Sequence, residues 1–109
     1  MFLFDLIWEA AKAVWDYIVK IIVAVCDYVK NICRYFREAA RQGRLRDPGV
    51  IAVAVRKHLD DGNFNVITCL FDEEEQKVID PEDMEIITAE RLDDETNNKF
   101  GKNDVLVLS

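Results

Sequence analysis

The feature that most constrains the fold is a long N-terminal stretch without a helix breaker. Residues 2–42 contain no glycine and no proline, and the first strong breaker is Gly43, followed by the Asp47–Gly49 turn. Acidic residues lead this stretch and basic residues close it, which suits the dipole of a helix. The pattern therefore predicts one long amphipathic helix, and we assign residues 1–46 to it as a first domain.

The charged residues of this predicted helix share one narrow face. On a helical wheel they fall within a sector about 100° wide. They are Asp5, Glu9, Lys12, Asp16, Lys20, Asp27, Lys30, Arg34, Arg37, Glu38 and Arg41. The remaining wall is apolar and covers on the order of 1,200 Å² in a helix of this length. A soluble monomer rarely exposes more than a few hundred Å² of contiguous apolar surface, so we expect a partner from outside the chain.

Three partners would cover such a helix: further copies of the same chain, a different protein, or a membrane surface. Most of the aromatic residues lie in this segment, and aromatic side chains suit protein and lipid interfaces alike. The longest charge-free run, Ile21–Cys26, is far shorter than the roughly 18–20 residues that span a bilayer. We expect self-assembly or a protein partner, with peripheral membrane association as the alternative. A third possibility is that the helix folds back on itself or is largely covered by the chain's own β module. The expected interface residues are Trp8, Trp15, Tyr17, Ile18, Ile22, Val25 and Tyr28.

The second half of the chain, residues 47–109, reads as a small β module. Runs of β-branched residues alternate with turn residues, and Asp61-Gly62 between two such runs is a strong hairpin signal. Residues 92–104 read as a polar loop. The predicted strands lie near 50–58, 64–71, 77–80, 84–91 and 105–108. The pattern predicts an α+β protein whose antiparallel meander curls toward an SH3-like barrel.

The charge of the chain is concentrated in the β module. The formal net charge is −7, and residues 1–42 carry six Lys or Arg against five Asp or Glu, so the acidic excess lies beyond them. No basic footprint for nucleic acid is present, and we expect no nucleic-acid partner. The acidic run Asp72, Glu73, Glu74 and Glu75 is a candidate docking face for a basic partner, as in a small inhibitor or immunity-type protein.

The chain offers little for catalysis. Its three cysteines, Cys26, Cys33 and Cys69, have no metal-binding spacing and read as reduced thiols of a cytoplasmic protein. The single histidine, His58, has no Cys or Ser beside it in sequence, and no phosphate-binding or zinc motif is present. We therefore expect no catalytic residues, no cofactor and no metal, and a non-enzymatic scaffold or complex subunit.

Overall fold

A computed structural model describes residues 3–108 as an α+β fold with three α-helices and a six-stranded mixed sheet. The helices are α1 (Leu3–Ala13), α2 (Arg34–Arg41) and α3 (Asp94–Phe100), with a π-helix at Tyr28–Cys33 and a 3-10 turn at Pro81–Asp83. The strands are β1 (Val19–Cys26), β2 (Val50–His58), β3 (Phe64–Asp72), β4 (Lys77–Ile79), β5 (Glu85–Leu92) and β6 (Val105–Leu108).

The single long helix expected over residues 1–46 is wrong. The chain leaves α1 through a tight turn in which the N–H groups of Tyr17 and Ile18 donate to the carbonyl of Val14 at 2.9 and 3.0 Å. It then extends as β1, whose sequence VKIIVAVC is rich in β-branched residues that favour extended backbone. The helix ends without a glycine or proline, because pairing with β5 stabilises the extended conformation of β1.

The expected barrel is also wrong, because the sheet is open. Its strand order is β1-β5-β3-β2-β6, with β4 pairing with β3 beside β5. The β1–β5 pair is parallel and every other pair is antiparallel, so the sheet is mixed and not a simple meander. β1 and β6 lie at opposite ends of the sheet, which leaves two separate edges.

The strands expected in the second half are confirmed to within one residue or two at their ends. The polar loop expected over 92–104 holds α3 instead. Asp93 caps this helix, since its side chain accepts a hydrogen bond from the backbone N–H of Thr96 at 2.9 Å.

The sheet is covered on both faces, so the core has two parts. On one face α1 buries Ile7 and Ala11 against strand residues such as Val53 and Ile67. These two positions are four apart and lie on one side of the helix. On the other face the π-helix, α2 and α3 pack against the alternate strand residues. That second core includes Ile32, Tyr35, Ala39, Ala52, Ala54, Val66, Leu70, Ile87, Ala89 and Phe100.

The chain itself buries much of the apolar surface that the sequence predicts to be exposed. Ile18, Cys26, Ile32 and Tyr35 all belong to the segment expected to form an exposed rod, and all are buried within the chain. The segment is folded around both faces of the sheet, so the chain itself covers most of its apolar side chains. Most of the large apolar side chains that stay exposed lie in β1 or within three residues of it.

Candidate functional site

The outer edge of β1 is the largest unpaired backbone surface of the fold. β1 is eight residues long and pairs on its inner side with β5, from Val19 opposite Glu85 to Cys26 opposite Leu92. No strand within residues 3–108 pairs with its outer side. Outward-facing N–H and C=O groups along such an edge are a template for another strand.

Apolar side chains are exposed in β1 and in the residues just before and after it. Four of the five large apolar side chains that are exposed in the described chain lie between residues 17 and 29. They are Tyr17 at 80%, Val19 at 55%, Ile22 at 83% and Val29 at 47% of their full accessible area. An unpaired edge with exposed apolar side chains is the kind of surface on which another strand can add.

The two faces of β1 are covered unequally. Ile21 and Val23 face the α2 side and pack partly against its core. Ile22 faces the α1 side, where its neighbours across the sheet are Thr88 and then Asn65. The α1 helix packs over a different part of this face, so Ile22 stays open to solvent.

Both ends of β1 are held in place. Near its start the ammonium of Lys20 donates to the carbonyl of Trp15. At its end the carbonyl of Cys26 accepts from the backbone N–H of Asp93 at 3.0 Å, and Asp93 Oδ2 accepts from the backbone N–H of Tyr28 at 3.2 Å. The edge is therefore a fixed strand rather than a loose segment.

Asp93 is kept ionised by these contacts. Burial would raise its pKa, but hydrogen bonds from Thr96 and from the backbone N–H of Tyr28 outweigh burial and hold the pKa of Asp93 below its ordinary value. The carboxylate joins the end of β1 to the start of α3.

The residues expected to form the interface are divided between surface and core. Tyr17 and Ile22 lie exposed at the β1 edge, and Val25 is half-buried in β1. Ile18 and Tyr28 are buried within the chain and are not surface residues. Trp8 in α1 and Trp15 in the turn after it are half-buried, with ring centroids 6.0 Å apart in an edge-to-face arrangement. Sequence reasoning missed the exposed Val19 and Val29, and for Val19 the reason is that a helical interpretation gives no signal for a strand edge.

The acidic run is an exposed turn between β3 and β4. Asp72 Oδ1 accepts from the backbone N–H of Glu74 at 2.9 Å and of Glu75 at 3.1 Å, and Lys77 pairs with Glu75 at 2.6 Å. Glu73, Glu74 and Glu75 are exposed, so this surface is accessible to a basic partner.

A polar cleft of about 370 Å³ between α2 and the start of β5 carries paired charges. Arg34 binds Glu85 at 2.6 Å, and Arg44 binds Asp80 and Asp83, each at 3.1 Å. Both guanidinium groups are engaged by carboxylates, and the lining holds four carboxylates against two arginines, so the cleft is acidic.

Two of the cysteine thiols are buried in the core, and the histidine ring packs against an aromatic side chain. Burial raises the pKa of the Cys26 and Cys69 thiols to about 12, so both are protonated at neutral pH. His58 stacks on Phe64, with ring centroids 4.6 Å apart. Among residues 3–108 no group of three or more His, Cys, Asp or Glu side chains is placed to hold a metal ion.

No protein-family model, curated protein or solved structure matches the chain. In the part of the chain that the structure describes, no helix has the length and apolar character needed to cross a bilayer.

Proposed function

We propose that this protein is a non-enzymatic assembly subunit whose copies associate through the outer edge of β1. The observation that carries the proposal is the coincidence of an unpaired eight-residue strand with the exposed side chains of Tyr17, Val19 and Ile22. Pairing two such edges satisfies the outward backbone groups and removes the apolar side chains from water in one step.

Symmetry restricts how two copies can pair. A two-fold axis perpendicular to the sheet makes the two β1 strands antiparallel and leaves each side chain on its own face. Residues opposite each other must then have the same parity, because side chains alternate between faces. We propose the register centred on Ile22, the most exposed apolar side chain. In this register Val19 lies opposite Val25 of the second copy, and Lys20 lies opposite Ala24.

The low charge of the β1 edge favours a second copy of the chain over a strongly acidic or strongly basic partner. Lys20 is the one charged residue between residues 17 and 26, although the whole chain carries a net charge of −7. In the proposed register the two Lys20 side chains stand opposite alanine rather than opposite each other, which avoids like-charge repulsion. The acidic turn at Asp72–Glu75 connects β3 to β4 and belongs to neither edge strand.

The test is a cysteine placed at the symmetry axis. Ile22→Cys, in a Cys33→Ser background that removes the half-buried native thiol, brings two thiols face to face. Opposed residues of antiparallel strands have Cα atoms about 4.5–5.5 Å apart, within the range of a disulfide. We expect mild oxidation to give a covalent dimer of Ile22→Cys and little dimer of the matched control Val107→Cys, whose exposed position lies in β6.

Two results would overturn the proposal. One is a monomeric mass by sedimentation up to about 100 μM for the unmodified chain, a range in which a specific dimer forms. The other is equal cross-linking of Ile22→Cys and Val107→Cys, which indicates random collision.

A membrane-surface role is a second proposal, favoured by the half-buried Trp8 of α1 and Trp15 of the turn after it. The ammonium of Lys57 lies 5.0 Å from the ring centroid of Trp8, and that of Lys20 lies 5.6 Å from the ring centroid of Trp15. Basic groups near aromatic side chains suit anionic lipid headgroups. Flotation with vesicles containing phosphatidylserine tests it. Recovery that requires both tryptophans supports lipid binding, and absence of the protein from the floated fraction refutes it.

A third proposal is that the acidic turn docks a basic partner. Replacing Glu73 and Glu74 by Gln should then weaken capture of a polylysine probe, and the loss should disappear at high salt. Equal capture by the altered and unaltered chains would refute specific docking at this turn.

A further inference from the structure

A hollow on the α1 side of the sheet has the features of a ligand site. Its volume is about 580 Å³, and it is lined by Trp8, Lys12, Trp15, Leu59 and Asn65. We call this site the aromatic hollow. It is formed within one copy of the chain, and the β1 edge does not line it.

The walls of the aromatic hollow are held in a defined arrangement. Trp8 and Trp15 meet with ring planes 69° apart, and Phe4 stacks on Trp8 at 6.4 Å between centroids and 13° between planes. Leu59 adds an aliphatic side chain. Preset aromatic and aliphatic walls favour a flat apolar ring, since little side-chain freedom is lost when it binds.

Asn65 supplies a polar group with an unfilled bonding position. Its side chain is 5% exposed, and its Oδ1 accepts a hydrogen bond from Thr88 Oγ1 at 2.8 Å. Its Nδ2 makes no hydrogen bond within residues 3–108 but is not sealed in the core, since the one fully buried side-chain polar atom without a partner there is Thr68 Oγ1. Because Asn65 lines the hollow, this amide N–H is open to an acceptor on a bound ligand.

Two lysines flank the aromatic hollow in addition to Lys12, which lines it. Lys57 is the cross-strand neighbour of Asn65, and its ammonium lies 5.0 Å from the centroid of Trp8. Lys20 approaches Trp15 from the β1 side at 5.6 Å. Neither ammonium is paired with a carboxylate in the described chain, whereas Lys12 is paired with Glu9 at 2.9 Å. The ammonium groups without a carboxylate partner favour a ligand with an anionic group.

We propose that the aromatic hollow binds a planar aromatic acid. The ring lies against Trp8, Trp15 and Leu59. The carboxylate accepts hydrogen bonds from Asn65 Nδ2 and from the ammonium of Lys57, two residues that are cross-strand neighbours in β3 and β2. Charge-assisted hydrogen bonds of this kind orient the ligand and discriminate it from a neutral analogue.

The test compares 2-naphthoate with 2-naphthamide, which have the same ring and differ in charge. Titration of the ¹⁵N-labelled protein follows the indole N–H signals of Trp8 and Trp15 and the side-chain amide of Asn65. We expect naphthoate to shift all three saturably and to bind at least about tenfold tighter than naphthamide, as loss of one charged hydrogen bond implies.

Substitutions locate the binding. Lys57→Gln and Asn65→Asp should each weaken naphthoate about tenfold or more, while Lys102→Gln, an exposed lysine in the loop before β6, should leave it unchanged. Circular dichroism establishes that each variant is folded. Equal affinity for naphthoate and naphthamide, unchanged affinity in Lys57→Gln, or no saturable shift up to several millimolar naphthoate would overturn the proposal. A monomeric Ile22 variant should bind equally, which separates this result from the β1 pairing.

Discussion

The two edges of the sheet are built in opposite ways. β1 has eight residues and exposes Val19 and Ile22, whereas β6 has four residues and exposes one large apolar side chain, Val107. A short edge strand presents few free backbone groups, so it is a poor template for another strand. The difference in length alone makes β1 the edge suited to association.

The β6 edge is also tied to its surroundings by one arginine. Arg56 pairs with Asp104 at 3.3 Å and donates to the carbonyls of Gly101 and Asn103 at 3.3 and 3.0 Å. Its guanidinium also lies 4.9 Å from the ring centroid of Phe100. These contacts fix the turn that leads into β6 and place polar groups beside it. β1 is fixed at its ends but carries one charge along its length, and this contrast is the basis for assigning different roles to the two edges.

The largest expected effect comes from placing the same charge on each edge. Ile22→Lys should weaken self-association by about 100-fold or more, because each dimer would bury two unpaired ammonium groups at its centre. Val107→Lys, the matched control on β6, should leave the association constant unchanged. Sedimentation equilibrium over a range of concentrations measures both. If Val107→Lys dissociates the assembly and Ile22→Lys does not, the roles of the two edges are reversed.

A middle-sized effect is expected from removing the arginine that secures β6. Arg56→Ala should lower the free energy of unfolding by about 1–3 kcal/mol, since several hydrogen bonds to a charged group are lost together with packing on Phe100. Arg91→Ala, an exposed arginine of β5, should change it by less than about 0.5 kcal/mol. Urea unfolding followed by circular dichroism gives both values. Equal losses in the two variants would show that Arg56 has no special part in holding β6.

The smallest effect concerns Asp93, which fastens the end of β1 to α3. Asp93→Ala should cost about 0.5–2 kcal/mol at neutral pH, as loss of a helix cap does. Because the folded-state pKa of Asp93 lies below its ordinary value of 3.8, its ionisation stabilises the fold above that value. This contribution is lost as the pH falls through the lower folded-state pKa.

Asp93→Asn isolates that titration, since asparagine caps helices well and does not ionise. The difference in unfolding free energy between the original chain and Asp93→Asn should be constant at neutral pH and shrink below about pH 3.8. Urea unfolding at a series of pH values measures it. A difference that stays constant down to the acid limit would mean that Asp93 titrates alike in the folded and unfolded chains.

The strands of the second half were predictable because neighbouring turn residues mark where each strand begins and ends. Turn residues such as Asp61-Gly62 bound runs of β-branched residues, and each strand needs only that local signal. α3 was not predicted, because its cap is a single carboxylate within a polar stretch. Asp93 bonds Thr96 and also Tyr28, which is 65 residues away in sequence.

β1 was not predicted because its signals conflict. An absence of breakers permits a helix, while Val19, Ile21 and Val23 favour extended backbone. The exposed positions of β1 could be identified only from its pairing with β5, in which Ile22 lies opposite Thr88. The aromatic hollow is hidden for the same reason, since Trp8, Lys57 and Asn65 come from separate elements.

From the sequence alone follow an α+β chain, its acidic second half, the strands from β2 to β6 and a surplus of apolar side chains among the first forty residues. These properties depend on composition and on near neighbours. Tertiary structure alone decided that residues 19–26 form a strand and that the sheet stays open at that strand. The physical reason is that a strand is stabilised by a partner distant in sequence, so its pairing with β5 decides what its own residues leave undecided.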